Sequence, residues 1–213
     1  DREKVANFSQ ENRENYLIGM MKVNFLKRLE SSVQSFAISM KRTVDKIKDL
    51  EDKINSFKKL KSKTTEIDLD DLNVADSDDT ETEDAWEVGK KIKYSLDHLD
   101  TDRWLEDLKK DREQLYGLYL EAIAVTTDRD AKLAELKELI REKATKPTIN
   151  KDGKKNRKVL VFTAFADTAL YLYNSLKDWA VKELKVNIAM VSGGSTENKT
   201  TFGANEFNHI LTN

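Results

Sequence analysis

Apolar residues recur every seven positions in the first quarter of the chain. Leu26, Val33, Met40, Ile47 and Ile54 form one set. Leu29, Phe36, Leu50 and Phe57 form a companion set offset by three, with Thr43 as its one polar member. Charged residues fill the positions around them. This period predicts a long helix over about 11–61 whose narrow apolar seam lies along a partner helix. No proline or glycine interrupts it after Gly19. At 1.5 Å per residue it would run for roughly 60–75 Å.

The pattern then stops. Between Glu66 and Asp84 there are ten acidic side chains and no basic one. Self-repulsion and low hydrophobicity predict an acidic loop over about 62–85, partly ordered by Leu69, Leu72 and Val74. It reads either as a solvated tip or as a dock for a basic partner. Helical spacing returns from Trp86 to Leu96. Asp100 or Thr101 can cap a second long helix, from Asp102 to about Val125, that uses Trp104, Leu105, Leu108, Leu115, Tyr119 and Ile123. Thr127 can cap a third, with Leu133, Leu136, Leu139 and Ile140 on its apolar face. Residues 1–145 are thus expected to form an antiparallel, coiled-coil-like hairpin with an added helix.

Pro147, the only proline, opens a basic connector over 146–157. Six basic residues and one acid lie between Lys146 and Lys158. It serves either as a soluble linker or as a phosphate contact. "VLVF" (Val159 to Phe162) is apolar without alternation, as in a strand buried on both faces of a parallel sheet. Thr163 to Phe165 form the turn after it. Asp167 or Thr168 begins a helix with Leu170, Tyr171, Leu176 and Trp179 inward, and "VNIAMVS" (Val186 to Ser192) is a second strand. The fold class expected is mainly α, with a smaller α/β part over 158–213.

"GGSTENKT" (Gly193 to Thr200) follows that strand and nearly matches the phosphate-binding pattern G-x-x-x-x-G-K-[ST]. Asn198 stands where the second glycine belongs, which favours a glycine-rich strand-to-helix turn over a nucleotide cradle. His98 and His209 have no metal-ligand spacing and read as ordinary histidines.

Composition agrees with solvated helices. Charged residues make up 36% of the chain, and the net charge of −2 supplies no global field toward nucleic acid. Any such contact needs a local basic face. Without cysteine, disulfides and thiolate metal sites are excluded. No apolar run approaches the roughly 18–20 residues of a membrane span. No signal peptide is visible. A cytoplasmic location is expected. The start at Asp1 and the helix-like last stretch, "EFNHILTN", suggest a piece of a larger protein.

Three stretches in order, "VNFLKRLESSVQSFAISMKRTV" (Val23 to Val44), "DRDAKLAELKELI" (Asp128 to Ile140) and "KVLVFTAFADTALYL" (Lys158 to Leu172), resemble the middle of superfamily 2 helicase-like ATPases. The nearest likeness is to bacterial Swi/Snf-type DNA translocases. The resemblance implies that 158–213 begins a second RecA-like lobe, with "VLVFTAF" as helicase motif IV. It implies DNA as partner and ATP with Mg²⁺ as cofactors of the intact motor, whose first lobe lies elsewhere in the polypeptide. It places Thr163, and with it Phe165, near a nucleic-acid phosphate, although Thr163 equally suits a helix cap. Gly193, Gly194, Ser195 and Lys199 form a second candidate contact loop. Lys27, Arg28 and Glu30 share the likeness, which packing alone can explain. The chain carries no G-K-[ST] loop with its glycine, no D-E-x-H motif and no later arginine motifs, so no catalytic residue is assigned and this segment alone is expected to be inactive. The rivals are a non-enzymatic coiled-coil interaction module, with a protein partner or self-association through the arm, and a small nucleotide-binding enzyme using "GGSTENKT".

Overall fold

The structure is a computed structural model and describes residues 10–60, 66–68, 93–96, 99–193 and 198–212. The chain is mainly helical, with three small antiparallel two-stranded sheets among the described residues. It divides into two compact units, Asp1–Ala122 and Ile123–Asn213.

The first unit opens with α1 (Gln10–Ser31) and α2 (Val33–Leu60). Only Ser32 separates them, and backbone bonds from Ser32 N to Arg28 O and from Phe36 N to Ser32 O carry the helical ladder across it. The Ser32 hydroxyl accepts from the N–H groups of Gln34 (3.2 Å) and Ser35 (3.4 Å), the work of an N-cap. The cap divides the expected seam. Met40, Thr43, Leu50 and Ile54 are buried as the heptads require. Upstream, Leu26 is 65% exposed, and Leu17, Asn24 and Arg28 are buried instead. Asn24, Arg28, Ser32, Ser35, Ser39 and Thr43 form a buried polar stripe at spacings of four, with one of three between Ser32 and Ser35. Within it Ser39 Oγ donates to Ser35 O and Thr43 Oγ1 to Ser39 O, so these hydroxyls are satisfied by the preceding turn.

The partner helix is α3 (Thr101–Ile123). Lys58 pairs with Asp102, and Arg112 Nε donates to both Glu51 oxygens at 3.0 and 3.1 Å. Numbering rises along α2 as it falls along α3, so the two run antiparallel, as expected. Leu50, Ile54 and Leu96 form the core between them, flanked by Phe57, Trp104, Leu105 and Leu108. Asp100 Oδ1 accepts from Arg103 N at 3.1 Å, which makes it the cap of α3. Two expectations change here. Lys93–Ser95 (β2) is a strand paired antiparallel with Glu66–Asp68 (β1), not the end of a helix, and β1 is not loop. A two-stranded ladder satisfies these backbone groups where a short, polar helix would bury nothing. The rest of the acidic stretch, the expected helix over 86–92, and His98 lie outside the described residues.

The second unit contains α4 (Ala131–Thr145) and α5 (Ala166–Trp179). Asp130 caps α4 by accepting from Leu133 N at 3.0 Å, and Leu133 is buried. Lys137 Nζ and the Arg141 guanidinium lie 5.6 and 5.5 Å from the Trp179 ring, which ties α4 to α5 by cation–π contact. Tyr171 O–H donates to Asp130 Oδ2 at 2.7 Å. Burial first, and then this bond, push the phenol well above its ordinary value. An unfolded tyrosine titrates near about 10. The stabilising contribution is therefore full below that pH and declines as pH rises toward the raised folded value. We expect urea-unfolding stability to fall more steeply above about pH 10 in the parent than in Tyr171→Phe. Equal slopes would contradict this linkage.

The basic connector is a β-hairpin, not a linker. β3 (Thr148–Ile149) pairs antiparallel with β4 (Lys155–Asn156). Asn150 N donates to Lys154 O, and Gly153 N to Asn150 O. Gly153 sits at φ +78°, as the last residue of a three-residue hairpin loop requires. Arg157 fixes the exit: Nε donates to Ala144 O at 3.0 Å and an NH2 to Leu184 O at 2.9 Å.

The expected parallel sheet is not formed among the described residues. Residues 159–162 have no strand partner there, and Leu160 and Phe162 are 82% and 90% exposed. β5 (Ala189–Met190) pairs instead with β6 (Lys199–Thr200), antiparallel. A parallel sheet needs neighbouring strands on both sides to bury such a segment, and the described chain places only a two-residue hairpin after α5. α5 ends in a π-helical turn (Ala180–Leu184) closed by Lys185 at φ 53°. α6 (Phe207–Thr212) follows β6. No described helix is long and apolar enough to cross a membrane.

Candidate nucleic-acid interface

Thr163 lies two residues before the N-cap position of α5. It is half-buried, and its Oγ1 accepts from Phe165 N at 3.3 Å. A hydroxyl and its local backbone thus meet at the helix entrance. Phe165 occupies the N-cap position with no side-chain cap bond, and its ring is buried. The two residues differ in setting: Phe165 is buried, and Thr163 is half-buried with its hydroxyl bonded to Phe165 N. Asp167 lies in the first turn of α5, where the helix dipole favours an acid.

The second loop sits elsewhere in the same unit. Gly193 is exposed, and nothing lies within 4 Å of the place where its Cβ would be. Gly194 and Ser195 lie outside the described residues. Lys199 is half-buried in β6, opposite Met190. The loop therefore joins two antiparallel strands and is not a strand-to-helix turn. Asn198 shows why. Its Oδ1 accepts from Ser192 N at 3.3 Å, and its carbonyl accepts from Asn205 Nδ2 at 3.3 Å. The residue in place of a P-loop glycine closes its own loop.

A P-loop also needs a helix opening at its K-[ST] pair, so that the helix N-terminus meets the phosphate. Here Lys199–Thr200 is a strand. The described residues do not build a cradle for ATP, and no step through a nucleotide follows from them. His209 packs 6.2 Å from the Phe202 ring and close over Gly203, whose φ of +57° suits glycine. Its surroundings are those of a packed histidine.

In the sequence, 146–157 reads as a basic, turn-rich connector, and "KDGK" supplies the turn of the hairpin over 148–156. Asp-Gly between short flanks marks a hairpin, but the flanks are polar and only two residues long, so no alternation announced them.

No protein-family model, no curated protein and no solved structure matches this chain at a significant level.

Proposed function

We propose that this chain is part of an ATP-dependent DNA translocase or helicase, contributing a helical arm and the start of the motor's second, DNA-tracking lobe. The observation that carries the reading is the segment 159–162. Four consecutive apolar residues stand outside any regular element and exposed, shortly before an amphipathic helix. Exposed apolar surface of this kind is unfavourable by about 25 cal/mol per Å². Sheet neighbours contributed by further parts of a motor polypeptide would remove that cost. The order along the chain, arm then apolar segment then helix, fits the resemblance to superfamily 2 ATPases.

In this reading Thr163 positions a phosphate of the tracked strand. Such a contact fixes register and carries no sequence information. ATP and Mg²⁺ act between the two lobes of the intact motor, and this chain alone is inactive. The test compares the intact polypeptide with this chain. The intact protein should hydrolyse ATP with Mg²⁺, faster with DNA, and Thr163→Val should lower the DNA-stimulated rate more than the basal one. This chain alone should show no turnover. An intact polypeptide without DNA-stimulated hydrolysis would overturn the proposal.

One observation favours the rival, a coiled-coil interaction module. Tyr16, Ile18, Val23, Leu26 and Leu29 leave α1 with exposed apolar positions. In that case the arm binds a protein partner or a second copy. Sedimentation of this chain would then show concentration-dependent association, and the motor assay would be negative.

A further inference from the structure

We propose that the β3–β4 hairpin is a second, sequence-independent contact for a nucleic-acid phosphodiester backbone, made by Lys151, Lys155 and Lys158 with Lys154 beside them. The inference extends the DNA-tracking reading to a surface which that reading leaves unassigned.

The local charge balance sets this surface apart in a chain of net charge −2. Asp152 is the only acid between Lys146 and Lys158. It lies 3.4 Å from Lys154 Nζ, and Lys146 lies 3.9 Å from Glu142. Both pairs are exposed and hold their partners weakly. Among the described residues no ion pair forms at Lys151, Lys155 or Lys158, and all three are exposed.

The surface is also shaped. The three-residue loop is closed by two backbone bonds and a left-handed glycine. Arg157 donates to the carbonyls of Ala144 and Leu184, at the ends of two helical segments. That side chain holds the exit of the hairpin in place, so the lysines around it project from ordered backbone. Cations held this way lose less freedom on binding than cations on a flexible linker.

The position is informative too. Thr163 lies at the carboxyl end of 159–162, where α/β folds bind ligands. The hairpin precedes the amino end of the same segment, so it adds a contact and does not enlarge the Thr163 site.

The test is fluorescence anisotropy with this chain and labelled 20-nucleotide probes, single-stranded and duplex, over a series of salt concentrations. The variants are Lys151→Ala/Lys155→Ala/Lys158→Ala, Thr163→Val, and the control Lys109→Ala/Lys110→Ala on α3, each first checked for parental circular dichroism. The hairpin triple should weaken binding at least about tenfold at low salt and reduce the log–log salt slope by about 2–3, for any base sequence. The α3 control should bind like the parent. A triple variant that binds like the parent, or a parent that binds neither probe, would overturn the proposal. Displacement of the probe by polyglutamate at lower charge concentration than by unlabelled DNA would also overturn it, in favour of an acidic polypeptide. The two readings fail separately. Hairpin-dependent binding without DNA-stimulated ATP turnover in the intact polypeptide sinks only the motor. Thr163-dependent turnover with a silent hairpin sinks only this contact.

Discussion

Ile54→Ala should destabilise the α2–α3 hairpin by about 2–5 kcal/mol. Ile54 is 0% exposed and sits with Leu50 and Leu96 in the centre of the hairpin core. Truncation removes three carbons that touch both helices and leaves a void that Phe57, Trp104, Leu105 and Leu108 can fill only partly. Helices of this composition are not stable alone, because most helical stability comes from the packed face. The loss should therefore appear as a lower midpoint of urea unfolding followed by circular dichroism at 222 nm. Leu26→Ala is the matched comparison. Leu26 holds the same heptad position, yet it is largely exposed, and its truncation should change stability by less than about 0.5 kcal/mol. Equal effects at the two sites would contradict the division of the seam at Ser32.

That division shows what the sequence carries and what it hides. From Met40 to Phe57 the heptads locate the seam, because an apolar residue at that spacing has one favourable place to go. Upstream they mislead. Ser31 and Ser32 interrupt the run with a pair of residues that prefer caps, and Ser32 acts as one. Past a cap the phase of the buried face is set by packing, which spacing alone does not encode. The three caps at Ser32, Asp100 and Asp130 are each short polar residues before an apolar run; Asp100 was anticipated, whereas the third helix is capped by Asp130 and not by the expected Thr127. In the α/β part the helix after Phe165 and a short strand within 186–192 were legible, but the strand expected over 159–162 is not formed and the pairing differs. "VLVF" reads as a buried strand because four apolar residues in a row require burial, yet burial depends on neighbours that no local pattern specifies. Asn198 was legible as a departure from a P-loop, and its bond to Ser192 N supplies the reason that composition lacks. Thr163 was expected as a possible cap of α5, but the N-cap position is Phe165, and Thr163 Oγ1 accepts from Phe165 N in the turn before the helix.

Phe162→Asp should separate the two settings of the segment 159–162. In this chain the ring is almost fully exposed, so the substitution should leave the unfolding midpoint unchanged within about 0.5 kcal/mol and improve solubility. If the segment joins a parallel sheet in a motor, as proposed, the same aspartate would lie inside that sheet without a partner charge. An unpaired buried carboxylate is among the few changes that cost more than about 4 kcal/mol. The intact variant should lose cooperative unfolding of its second lobe and, with it, DNA-stimulated ATP turnover. A variant that is silent in both settings would mean that the side chain stays in water throughout, and the apolar run would need a different explanation.

The reading of this chain as one part of a two-lobed motor rests on 159–162 being a sheet strand without its neighbours. Hydrogen exchange at the backbone amides of these four residues tests that directly. In this chain, where they have no ladder partner among the described residues, they should exchange at close to the rate of unstructured peptide. In the intact polypeptide they should exchange slower by several orders of magnitude, as amides of a central strand do. Equally fast exchange in both would make the segment a surface loop of the whole protein, and the assignment of a second lobe would fall with it.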